Sequence, residues 1–179
     1  MINRITIALV LALACFTSVH AADAVKALPT ANLSGIDKEN ADEIRRYVER
    51  FNTRKATLSG SELAEAYVDV GAVHARVGKF DVAEVAFANA AAIAPQDGRW
   101  PYLQGLVALA RGQEPAALTF FERSFKLNSG YVPGRMAFAN ALIRVNQLDR
   151  ARAILDEFVA KEQTYPMPYA VLGDIAVRQ

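Results

Sequence analysis

AEAYVDVGAVHARVGKFDVAEVAFANAAAIAPQD, residues 64–97, is the stretch whose pattern decides the fold. Two apolar helical stripes flank Gly78, and Pro95 follows the second. The small residues of this stretch return at a fixed interval: Gly71, Gly105, Ala139 and Gly173 lie 34 positions apart. Ala83, Ala117 and Ala151 keep the same interval, and so do the large apolar residues Phe87, Phe121 and Leu155. Three phase-locked sets imply one helix-turn-helix unit copied along the chain. Such a stack offers a surface rather than a cavity built for chemistry.

The positions have physical reasons. Where two helices of a unit cross closely, side chains at the crossing must be small. Position 8 of each unit is therefore expected to face position 20. Position 24 is expected to fill the space against the neighbouring unit. Gly78 and Gly112 suit the left-handed residue that ends a helix, and Asn146 tolerates that conformation next best. Asp81 and Asp149 begin second helices, where a carboxylate meets exposed N–H groups and the positive end of the dipole. Pro115 and Pro133 fall in first turns, where a missing donor costs little.

These residues resemble the tetratricopeptide repeat family. Residues 64–97 carry Tyr67, Gly71, Gly78, Phe80, Ala83, Phe87, Ala90 and Pro95 at the family's positions. Residues 98–131 keep Gly105, Gly112, Ala117 and Phe121, but place Pro101, Glu114 and Ser129 where the pattern has other residues. Residues 132–165 keep Ala139, Leu148, Ala151 and Leu155; Asn146 replaces the turn glycine, and Phe158 stands where a small residue is usual. Residues 166–179 restart with Tyr169, Leu172 and Gly173 and supply one helix, read either as a cap or as the first piece of a longer array. The resemblance implies an all-α fold, a right-handed α-solenoid of tetratricopeptide hairpins over residues 61–179.

Ahead of the repeats the chain changes character. Arg4 and the apolar run from Ile5 to Phe16 read as a secretory leader at residues 1–21, too short to span a bilayer comfortably. Val19 and Ala21 sit at the −3 and −1 places of a cleavage site, so the expected cut follows Ala21 or Ala22. An uncleaved anchor is the competing reading. Cys15, the single cysteine, invites a lipoprotein reading, weakened by Ala12 where the lipobox prefers Leu. The expected address is the periplasm or the exterior. Residues 22–36 mix Ala, Pro, Thr, Asn, Ser and Gly without a period and read as a flexible tether. Residues 37–60 read as a capping helix and linker, with Ile44, Tyr47, Val48 and Phe51 on one apolar face. Ser59 and Glu62 have capping-box spacing and place the next helix start near Ser61.

No constellation for catalysis emerges. The sequence holds 20 Lys plus Arg against 19 Asp plus Glu, which gives no field to gather nucleic acid. His74 stands alone on a helix without a second ligand at metal spacing. No serine lies in a nucleophile turn and no glycine-rich loop follows a strand. We therefore expect a non-enzyme without cofactor, metal or small-molecule substrate.

In tetratricopeptide arrays, ligands lie in the concave groove formed by first helices. Register carries that role to Val68, Asp69, Ala72 and Arg76 in the first unit, and to Ala170 and Asp174 in the last. The groove proper is expected at Arg99, Tyr102, Leu106, Leu109, Met136, Asn140 and Arg144, with Leu103 and Ile143 inclined towards core packing. Val68 and Ala72 replace polar groups of the family's carboxylate clamp. The expected ligand is accordingly a helix or extended peptide with apolar side chains. The resemblance suggests an adaptor in secretion, pilus, polysaccharide-export or envelope-biogenesis assemblies. The alternative is the recognition part of a longer enzyme or transport accessory protein.

Overall fold

The computed structural model describes residues 25–161 and 167–178. The expected leader, its processing site and Cys15 lie outside the described residues, as do positions 22–24 of the expected tether. The described residues form eight α-helices and no strand, in two compact units divided after Pro95. Among the described residues, no helix is long and apolar enough to cross a membrane.

The first unit holds α1 (Lys38–Arg54), α2 (Gly60–Arg76) and α3 (Phe80–Ile93). Asp37 starts α1 by accepting the Asn40 backbone N–H at 3.0 Å. That bond, before any other contact, holds its carboxyl below the usual range. Ile44 and Phe51 are buried on the inner face of α1, with Tyr47 and Val48 half-buried beside them. The Phe51 ring meets Tyr67 of α2 at 4.7 Å between centroids. Two of the exposed arginines of α1 are paired: Arg45 with Asp42 at 2.6 Å, and Arg50 with Asp69 of α2 at 3.7 Å. Exposed pairs of this kind contribute little stability. Ser59 precedes α2 in extended conformation, yet its side chain makes no capping bond. Only its carbonyl is used, accepting the Glu62 N–H at 3.2 Å.

The stretch expected as a tether is tied down where it is described. Lys26 donates its backbone N–H to Asn89 Oδ1 at 2.8 Å, and Asn89 Nδ2 donates back to the Lys26 carbonyl at 2.7 Å. Asn89, 1% exposed on α3, thus spends its amide on the backbone of one residue. An unpaired amide there would cost about 1–3 kcal/mol.

The second unit holds α4 (Arg99–Ala110), α5 (Glu114–Leu127), α6 (Val132–Arg144), α7 (Leu148–Lys161) and α8 (Met167–Arg178). Its core runs from Phe121 on α5 through Phe138, Ala139 and Leu142 on α6 to Leu155 on α7. Ile175 of α8 joins the same cluster. Pro115 and Pro133 occupy first turns, as expected.

Three helix ends are closed in one way. Gly78, Gly112 and Asn146 have φ of +75°, +73° and +58°. The next residue in each case donates its N–H five residues back: Lys79 to His74 at 2.9 Å, Gln113 to Ala108 at 2.9 Å, and Gln147 to Leu142 at 2.8 Å. These are Schellman closures, in which the left-handed residue lets orphaned carbonyls find donors.

The helix crossings correct one expectation. A Cβ at Gly71 would come within 2.6 Å of the Phe87 ring, and one at Gly105 would run into the Phe121 ring. The atoms nearest position 8 therefore belong to position 24 of its own hairpin rather than to position 20. The ring closes over the glycine beside it, and Phe121 also joins the core cluster of the next hairpin, as expected. In the third hairpin Ala139 and Leu155, both fully buried, use a larger small residue and a smaller large one.

Candidate peptide groove

Two adjoining hollows open on the second unit where α4 and α6 run as neighbouring first helices. The larger, about 400 Å³, is lined by Tyr102, Leu106, Val132, Pro133, Met136, Ala137, Asn140, Phe158 and Pro168. The smaller, about 190 Å³, is lined by Leu106, Leu109, Glu114, Ala117, Phe121, Ala137, Asn140, Ala141, Arg144 and Val145. Leu106, Ala137 and Asn140 belong to both and form the divide between them. Leu106 and Asn140 both occupy repeat position 9, one turn beyond Tyr102 and Met136 at position 5. Helical spacing therefore sets these four side chains along one wall.

The wall is apolar and stiff. Leu106 is 39% exposed although it is a large hydrophobe, while Met136 is 7% exposed. Tyr102 packs edge-on against Tyr131 at 5.5 Å and tilted against Phe121 at 6.2 Å. Burial, and then the nearby Tyr102, push the Tyr131 hydroxyl above its ordinary value. It therefore stays protonated at neutral pH. Asn140 is exposed and has no hydrogen-bond partner among the described residues, which leaves one donor–acceptor amide free at the divide.

The groove offers little free charge. Arg144 forms an ion pair with Glu114 of α5, both lining the smaller hollow. Arg99 lies outside both hollows. It turns to Asp97, with Nη2 at 2.6 Å from the carboxylate, and stacks over Trp100 at 4.3 Å. The Arg99 side chain, above all, holds the Asp97 carboxyl below its ordinary value. Six of the seven expected groove residues are thus brought together, and Arg99 is not. Ile143 is 8% exposed in the core. Asp69 and Arg76 of the first unit pair with α1: Asp69 with Arg50, and Arg76 with Glu43 and Asn40.

Phe158 is one of the wall residues that register did not supply. It stands at position 27, where the repeat pattern has a small side chain, and is 4% exposed. Arg135, itself 4% exposed, lies 5.3 Å from the Phe158 ring and 5.3 Å from Phe125. Arg135 Nε donates to the Ser129 carbonyl at 2.8 Å. This buried cation fixes the ring that closes one side of the larger hollow. The departure from the repeat pattern at position 27 is the sequence signal for it.

A repeated hairpin closed by a left-handed residue, with an apolar groove on its first helices, is the architecture of a helical-repeat interaction scaffold. Residues 108–175 match the tetratricopeptide repeat family. Solved structures share this fold. The first tetratricopeptide domain of Spaghetti (RPAP3), bound to the HSP90 peptide SRMEEVD, has a TM-score of 0.61 at 16% identity over 66% of this chain and 97% of that one. The second such domain of human RPAP3, in complex with the HSP70 peptide SGPTIEEVD, gives 0.57 at 16% identity over 63% and 94%. YrrB, a tetratricopeptide protein with an unusual peptide-binding site, gives 0.62 at 20% identity over 78% and 71%. No curated protein sequence matches the chain.

Proposed function

We propose that this protein is a non-catalytic adaptor that holds a partner polypeptide in the groove of its second unit. The observation that carries this reading is the pair of adjoining apolar hollows divided by a free amide at Asn140. An apolar residue of the partner fills the hollow between Tyr102, Met136 and Phe158, and Asn140 bonds its backbone. A terminal carboxylate is a poor fit, because Arg144 is already neutralised by Glu114. Similar structures that hold peptides support this choice of ligand class. The leader-like sequence at residues 1–21 supports export, and with it an envelope assembly as the place of work.

The test is Tyr102→Ala combined with Leu106→Ala. Helical circular dichroism should stay unchanged while partner capture from an envelope extract falls at least about tenfold. Equal capture by the variant and the parent rejects the groove.

A further inference from the structure

The first unit has a concavity with one wall that is not a helix. Residues 27–33 run alongside α1 and α2 and leave a cavity of about 730 Å³. Small-ligand sites commonly measure roughly 300–1,000 Å³. Leu28 and Leu33 of the extended segment face Val48 and Phe51 of α1, Val70 of α2 and Val82 of α3 around it.

Both ends of this strap are fixed. Asn89 clamps it at Lys26, and at the other end Ile36 donates to the Leu33 carbonyl at 3.2 Å in a turn with Gly35 at φ +81°. Pro29 between the anchors has a fixed φ and no N–H to offer. The strap is therefore held across the cavity rather than left free to collapse into it.

His74, 3% exposed, lines the same cavity. Its Nδ1 lies 2.7 Å from the Val70 carbonyl. A carbonyl only accepts, so Nδ1 carries a proton, and Nε2 is the ring nitrogen left for another partner. The leucines, valines and Phe51 give the cavity an apolar body, while Arg45, Glu49, Asn52 and Lys55 of the α1 side also line it.

We propose that this cavity binds a small neutral molecule with an aromatic or aliphatic body and a single N–H or O–H group donated to His74 Nε2. The repeat pattern implied only a protein ligand, because the strap lies outside the repeats. The proposal is independent of the groove on the second unit.

The probe is N-phenyl-1-naphthylamine, which is neutral, carries one N–H and brightens in apolar surroundings. The full-length chain should bind it saturably at one site. Val48→Trp on α1 and Ala31→Trp on the strap each fill the cavity from a different element. Each should weaken binding at least about tenfold with helical circular dichroism unchanged. The N-methylated probe, which lacks the donor, should bind about fivefold more weakly, and His74→Phe should make the two probes equal. Absence of saturable binding, full-strength binding by both filled variants, or a probe preference that survives His74→Phe overturns the proposal.

Discussion

At repeat position 13 the first unit has Arg76 and the second has Arg144, and both are paired, one to Glu43 of α1 and the other to Glu114 of α5. At position 9 the two units part. Ala72 of α2 offers a methyl group, whereas Leu106 and Asn140 offer a large hydrophobe and an amide over open hollows. The first unit also has α1 beside α2 and a strap fixed by Asn89. The α2–α3 and α4–α5 hairpins themselves are alike, each with a ring closed over a glycine. The difference teaches that the repeat fixes how helices pack, while flanking segments and a few wall positions fix what each unit can hold.

The firmest way to break this comparison is to remove the rings. Phe87→Ala and Phe121→Ala each delete a 2%-exposed ring from equivalent places. Each should lose about 3–5 kcal/mol in urea denaturation. If one costs less than half as much as the other, the two hairpins are not equivalent.

Glycine substitutions sharpen the same point at smaller amplitude. Gly105→Ala drives a methyl group into the Phe121 ring and should cost about 1–3 kcal/mol. A Cβ at Gly173 meets nothing within 4 Å. Gly173→Ala should therefore be neutral or stabilise by up to about 1 kcal/mol through helix propensity. Thermal melts of the two variants should move in opposite directions or differ clearly; matching losses would contradict ring-on-glycine packing.

The smallest expected effect is electrostatic and belongs to the second unit. The folded-state pKa of Asp97 is depressed by Arg99, so its contribution is present above the ordinary value of 3.8 and is lost as pH falls through the lowered one. Asp97→Asn should reduce stability at pH 7 by less than about 1 kcal/mol. The gap between variant and parent should close in acid. A gap that widens as pH falls would reverse the assigned sign.

Much of this was legible in the sequence for local reasons. The left-handed closures at Gly78, Gly112 and Asn146 each depend on one residue's backbone, so type and spacing sufficed. Tyr102, Leu106, Met136 and Asn140 fell on one wall because helical periodicity places positions 5 and 9 together. Arg99 did not, because a flexible cation chooses among nearby carboxylates and Asp97 is two residues away. The strap was illegible for another reason. Its anchor joins Lys26 to Asn89 across 63 residues, and no periodicity marks such a pair. The position 8 contact failed because spacing reveals that a site must be small, not which neighbour makes it so.

The self-contained closure of each hairpin has a genetic consequence. A tandem duplication of 34 codons, one repeat interval, would insert another hairpin with its own left-handed stop and its own ring-on-glycine contact. Residues on either side would keep their phase. The array can therefore lengthen by unequal crossing-over while selection rewrites groove residues one hairpin at a time.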